Sequence, residues 1–161
     1  MKVILPGSYD PVTLGHLDLI KRAAECHEEV YAVVFINPEK KYTFSEKERV
    51  EMLSLAVADI PNVKVDFSSG YVVDYMREKG IEKIIKGYRS EKDLDYERVQ
   101  AEYNLAHGGY QTELYACDPS LELVSSTFAR ELISEGKELE NVLPKSVSDY
   151  IKNKKVQDSV N

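Results

Sequence analysis

The chain has 161 residues, 43% of them hydrophobic, with a formal net charge of −7 and only two cysteines. That length suits one domain with a real core, and the charge argues against a broad non-specific nucleic-acid surface, which needs clustered cations. Two cysteines exclude a disulfide framework, and no apolar run approaches the ~18 residues a membrane span requires.

Met1-Lys2 leads straight into the apolar run Val3-Ile4-Leu5 with no leader-like segment, so a cytoplasmic protein is the expectation. That run ends at Pro6-Gly7 and reads as a first strand followed by a loop. Leu17, Ile20 and Ala24 then recur at helical spacing, with Lys21, Arg22 and Glu25 on the other side. Val30 to Ile36 is almost wholly apolar and branched, as a strand buried on both faces requires. Ser45 with Glu48 is a capping-box signature, and Val50, Leu53 and Val57 continue a helix behind it. Val63, Val65 and Phe67 alternate with Lys64 and Asp66, which predicts a strand nearer the sheet edge.

A helix is expected from Tyr71 to Lys79, stopped by Gly80, and a strand centred on Ile84-Ile85 and closed by Gly87. A longer helix from Asp93 to His107 precedes a fifth strand, Leu114 to Cys117. Two last helices are expected at Thr127 to Ser134 and Pro144 to Lys152, with the polar residues from Lys154 onward frayed. Cys26 and Cys117 sit among apolar neighbours and read as core thiols. His27 and His107 are isolated and read as surface or helix-end residues. Five strands alternating with helices predict a single-domain α/β fold around an open parallel sheet. Ligands of such sheets bind beyond the carboxyl ends of the strands, where the strand order switches.

The loops at that edge carry the chemistry. The first runs from Pro6 to His16 and matches neither the dinucleotide glycine fingerprint nor the P-loop. It still delivers a strand onto a helix N-terminus, where free N–H groups favour an anion. Ser8 puts a hydroxyl at its mouth, Gly15 removes a side chain, and His16 can donate from its ring to a phosphoryl oxygen; as easily, His16 could be a capping residue. Lys40-Lys41 follows the second strand and is either a solvated pair or a cation reaching across the sheet. Lys86-Gly87-Tyr88-Arg89 places an ammonium and a guanidinium fork directly after a buried strand, a phosphate-binding arrangement. Ser125-Ser126-Thr127 offers three hydroxyls where a helix cap needs one, with Arg130 a turn further on, which suits a triphosphate tail. No His/Asp/Glu grouping has metal-ligand spacing, so any Mg²⁺ is expected to ride mainly on substrate phosphates.

Taken in order, Gly7-Ser8-Tyr9-Asp10-Pro11, Thr13-Leu14-Gly15-His16, Lys40-Lys41, Lys86 to Arg89 and Ser125 to Thr127 resemble the HxGH nucleotidyltransferases. Within that superfamily the chain resembles the bacterial phosphopantetheine adenylyltransferases, from about Lys2 to Lys152, with Thr13 at the first signature position. The resemblance implies a dinucleotide-binding (Rossmann-like) fold, transfer of the adenylyl group of ATP to 4′-phosphopantetheine, use of Mg²⁺, a homohexamer, and coenzyme A as a candidate feedback ligand. By position it assigns the acceptor side to Ser8, Lys40, Val72 and Lys86. It assigns the ATP side to Ser8, Tyr9, His16, Gly87, Tyr88, Arg89, Glu97 and the segment Glu122, Leu123, Val124, Ser125, Ser126, Thr127 and Phe128. His16 would stabilise the transition state, with Lys40 and Arg89 as cationic partners. Where the family commonly has Arg, this chain has Lys86, which keeps the charge and loses the planar fork.

Overall fold

A computed structural model describes the backbone of residues 1–160 and the side chains of residues 1–155. In chain order the elements are β1 (Lys2–Gly7), α1 (Leu14–Cys26), β2 (Glu29–Phe35), α2 (Glu46–Ala56), β3 (Val63–Ser68), α3 (Val72–Lys79), β4 (Lys83–Tyr88), α4 (Glu91–Gly108), β5 (Gln111–Ala116), a short 3-10 turn at Pro119–Leu121, α5 (Ser126–Ser134) and α6 (Lys145–Val160). The five strands form one parallel sheet in the order β3-β2-β1-β4-β5. This is the open parallel α/β sheet that the alternation predicts, in the Rossmann-like form that the resemblance implies. The order reverses between β1 and β4, so their carboxyl ends flank the switch-point crevice.

Burial explains why the central strands are apolar runs. Val3, Leu5, Val30, Ala32, Val34 and Ile85 face one core with α1, α2, α5 and α6; Ile4, Tyr31, Val33 and Ile84 face a second with Tyr75 and Met76 of α3. β3 and β5 are the sheet edges and keep partly exposed side chains. α4 has no buried residue and rests on β4, β5 and α3. Ser45 and Glu48 close the expected capping box on α2. Gly80 ends α3 at a φ of 68°, a left-handed conformation that a side chain would strain.

One expectation, that both cysteines are core thiols, is corrected. Helix α6 is assigned as far as Val160; within it Lys154 pairs with Glu48 of α2, and the Lys155 ammonium donates to the Ile133 carbonyl at 2.9 Å. Asn161 lies outside the described residues. Cys26 is exposed and Cys117 only partly buried, because each sits where its element leaves the core.

Candidate active site

The loop leaving β1 is braced from three directions. Tyr9 has a φ of 49°, the Asp10-Pro11 bond is cis, and the buried Tyr9 hydroxyl donates to the Leu5 carbonyl at 2.7 Å. The Asp10 carboxylate, 5% exposed, accepts the Thr43 and Phe44 backbone N–H groups at 2.9 Å each. It therefore ties the β2–α2 loop, which carries Lys40, to the β1 exit. From α2, Arg49 donates to the Ser8 carbonyl at 3.1 Å with its guanidinium 3.8 Å over the Tyr42 ring. From α5, Arg130 donates to the Asp10 carbonyl and the Ser126 hydroxyl to the Pro11 carbonyl, both at 2.8 Å. Buried carbonyls that find donors in this way hold a loop still.

His16 sits three residues after the N-cap Thr13. The Thr13 N–H donates to His16 Nδ1 at 3.0 Å, and the His16 N–H donates to Thr13 Oγ1 at 3.3 Å, the reciprocal bonds of a capping box. A ring nitrogen that accepts carries no proton, so the neutral ring bears its hydrogen on Nε2. Burial lowers the His16 pKa from 6.5 to about 4, and the positive charges of Lys86 and Arg89 add to the shift. At neutral pH the imidazole is thus an uncharged hydrogen-bond donor rather than a cation.

Two cavities open on this edge. The first, about 430 Å³, is bordered by His16, by Gly87, Tyr88 and Arg89 at the end of β4, and by Val124, Ser125, Ser126 and Thr127 at the start of α5. The second, about 750 Å³, is bordered by Lys40, Tyr42, Tyr71, Val72, Gln100 and Asn104. They share one wall: Pro6, Gly7, Ser8, Lys86, Tyr96 and Glu97 border both. Across that wall, Lys40 Nζ lies 3.4 Å from Ser8 Oγ, and Lys86 Nζ lies 3.5 Å from Glu97 Oε1.

The residues singled out in the sequence divide as follows. Ser8, Lys86 and Glu97 border both cavities; Tyr9, His16, Gly87, Tyr88, Arg89 and Val124 to Thr127 border the first; Lys40 and Val72 border the second. Glu122, Leu123 and Phe128 border neither, and Leu123 is 83% exposed. The hydroxyls of α5 are less free than their number implies. Ser125 caps the helix through the Phe128 N–H, Ser126 is engaged on Pro11, and Thr127 accepts from Arg130 at 3.1 Å. Arg130 braces the β1 loop and borders neither cavity. Arg89 is held beside Asp93, its Nε 3.6 Å from the carboxylate.

Sequence reading gave no site role to Asp10, Arg49, Asp18 or Arg22. The last two border the first cavity, where Arg22 donates to the Ala116 carbonyl and lies over the Tyr115 ring. No local signal marks Asp10 or Arg49, whose partners lie more than thirty positions away. Among the described residues no group of three or more His, Cys, Asp or Glu side chains could hold a metal ion.

A family model described as cytidylyltransferase-like matches residues 4–132. Because that match runs from β1 into α5, and so takes in every loop that borders either cavity, the chain belongs to the cytidylyltransferase-like family and is a nucleotidyltransferase.

Proposed function

We propose that this nucleotidyltransferase moves the adenylyl group of ATP onto 4′-phosphopantetheine, giving dephospho-coenzyme A and pyrophosphate. The observation that carries the reading is the pair of cavities on one wall, with the His16 donor in one and the Lys40 ammonium in the other. A two-substrate transfer between phosphates needs two sites that meet at one phosphorus atom. The choice of adenylyl over cytidylyl rests on Thr13 at the first position of the signature, and the choice of acceptor on the resemblance of the loops.

In the proposed reaction an acceptor phosphate oxygen attacks the α-phosphorus of ATP in line. The bond from that phosphorus to the bridging oxygen breaks, and pyrophosphate leaves with the electron pair. The attacking phosphate is already ionised, so no general base is required. The protein's task is to bring two anions together and to meet the growing charge on the α-phosphate oxygens. His16 Nε2–H donates there without adding a proton to the balance. Lys40 and Lys86 approach from the acceptor side and Arg89 from the β- and γ-phosphate side. Mg²⁺ would enter on the ATP phosphates and neutralise them, since Asp18 and Asp93 are already beside Arg22 and Arg89.

Coenzyme A contains both halves of the product and would compete for both cavities. A homohexamer is part of the same proposal, supported by α4, whose Tyr96, Val99 and Tyr103 are exposed at roughly helical spacing. The cytoplasm remains the proposed compartment; no described helix is long and apolar enough to cross a membrane.

The test is pyrophosphate release across a panel of nucleoside triphosphates and phosphorylated acceptors, with Mg²⁺. ATP with 4′-phosphopantetheine is expected to be the fastest pair. Preference for CTP with a glycerol phosphate would overturn the substrate assignment and keep the family. Tight ATP binding without pyrophosphate release for any acceptor would overturn the catalytic reading.

A further inference from the structure

The shared wall holds a carboxylate where two phosphate esters are proposed to meet. Glu97 is 13% exposed along its side chain and Lys86 is 30% exposed. Asp18 and Asp93, the other carboxylates of the first cavity, are more open at 32% and 37%, and each lies beside an arginine. Glu97 Oε2 is buried and has no hydrogen-bond partner. A carboxylate placed this way is unfavourable twice over: it has lost water, and it repels the anions the cavities would admit. Lys86 offsets the first cost. The second remains, and any anion that approaches Lys86 meets Glu97 already there.

We propose that Glu97 is a specificity-determining residue, a built-in carboxylate that competes for Lys86 so that a phosphate monoester takes the ammonium and a singly charged or neutral group does not. The inference rests on the phosphate-acceptor reading above. Coulomb attraction scales with charge, and a phosphate monoester carries about −1.5 to −2 at neutral pH against −1 for a carboxylate. Glu97 is held in place by α4 and loses no translational entropy on meeting Lys86, so a monoanion of equal charge loses to it. A dianion wins, and the three N–H donors of an ammonium let the exchange proceed without a fully bare intermediate. The displaced carboxylate has donors at hand. Gln100 lies three residues on along α4, and Thr112 Oγ1, also buried without a partner, borders the same second cavity.

The experiment uses calorimetric titration of the full chain and its Glu97→Gln and Glu97→Asp variants with four ligands: inorganic phosphate, 4′-phosphopantetheine, its 4′-sulfate ester and pantetheine. In Glu97→Gln, inorganic phosphate is expected to bind about tenfold tighter, the usual scale for removing one nearby like charge. The preference for the phosphate ester over the sulfate ester narrows by a similar factor. Glu97→Asp keeps the charge but withdraws it by one methylene, so its preference falls between the other two. A merely structural residue would change all four affinities together and leave the preference intact. Unchanged preference in both variants, or weaker inorganic phosphate binding in Glu97→Gln, would overturn the proposal. Failure of the wild-type chain to release pyrophosphate from ATP and 4′-phosphopantetheine would instead overturn the acceptor reading, while tighter inorganic phosphate binding in Glu97→Gln would still support competition at Lys86.

Discussion

Lowering the pH tests the state assigned to His16. Its pKa falls from 6.5 to about 4, chiefly through burial, with Lys86 and Arg89 adding to the shift. At about 1.4 kcal/mol per pH unit, that favours the neutral ring by roughly 3 kcal/mol, a ceiling because the ring borders an open cavity and water screens part of it. The sign follows from proton counting. Between about pH 6.5 and 4 the unfolded chain binds a proton at this residue and the native chain does not, so stability falls as pH drops through that window. Above pH 6.5 both states are neutral and this contribution is fully present. The assay has two parts. Nitrogen-15 chemical shifts of the three histidines, followed from pH 8 to pH 4, should show one ring that stays neutral to below pH 5, with its Nδ1 at the position of an unprotonated acceptor. Urea unfolding at pH 7.5 and pH 5 should show a loss in wild type that shrinks by about 1–2 kcal/mol in His16→Gln. A His16 ring that titrates near 6.5, or carries its proton on Nδ1, would refute the reasoning.

Three further outcomes are expected. His16→Gln retains an N3 side chain that can close the capping box, so its unfolding free energy should stay within about 1 kcal/mol of wild type while turnover falls about 10²–10³-fold with little change in ATP binding; near-normal turnover by pyrophosphate release would remove His16 from the chemistry. Lys86→Ala should raise the Michaelis constant for the phosphorylated acceptor more than that for ATP; equal effects would place the ammonium elsewhere. Arg49 is 1% exposed and has a buried Nε without a partner. In Arg49→Met the relieved desolvation should offset the lost bond to the Ser8 carbonyl, leaving the melting temperature within a few degrees while the acceptor Michaelis constant rises as the Ser8 loop loosens.

Much of the fold was legible because burial writes itself into the order of residues. β2 is apolar at every interior position since both its faces are covered, and α2 announces its start through Ser45 and Glu48. The five strands and their parallel direction follow from the same alternation, whereas their order across the sheet does not. What escaped was set by distant partners. Nothing near Lys154 says that Glu48 waits across the fold, and nothing near Asp10 says that two N–H groups from the loop after β2 will close on it. β5 was read too short because Gln111 and Glu113 point outward from an edge strand. At the site, residue types suggested a phosphate chemistry, and bond partners show which of those groups are already engaged. Ser126 and Arg130 look like phosphate ligands in the sequence, yet both are engaged on the carbonyls of the β1 loop.

The Thr13-Leu14-Gly15-His16 segment shows why a capping reading and a functional reading of His16 do not compete. A capping box needs a third-position side chain that accepts from the cap N–H, and the imidazole does so through Nδ1. The same bond removes the proton from that nitrogen, fixes it on Nε2 and orients the ring. Glutamate in this position would cap equally well, but it would bring a negative charge to the side where a phosphate is proposed, and no donor. Glutamine would cap and donate only if its amide rotated to face both ways at once. Histidine alone places an acceptor and a donor on opposite sides of one rigid ring, so the bond that starts α1 is also the bond that prepares the donor. The local stability of the helix start and the protonation state at the site are therefore set by the same atoms, and a change to one shifts the other.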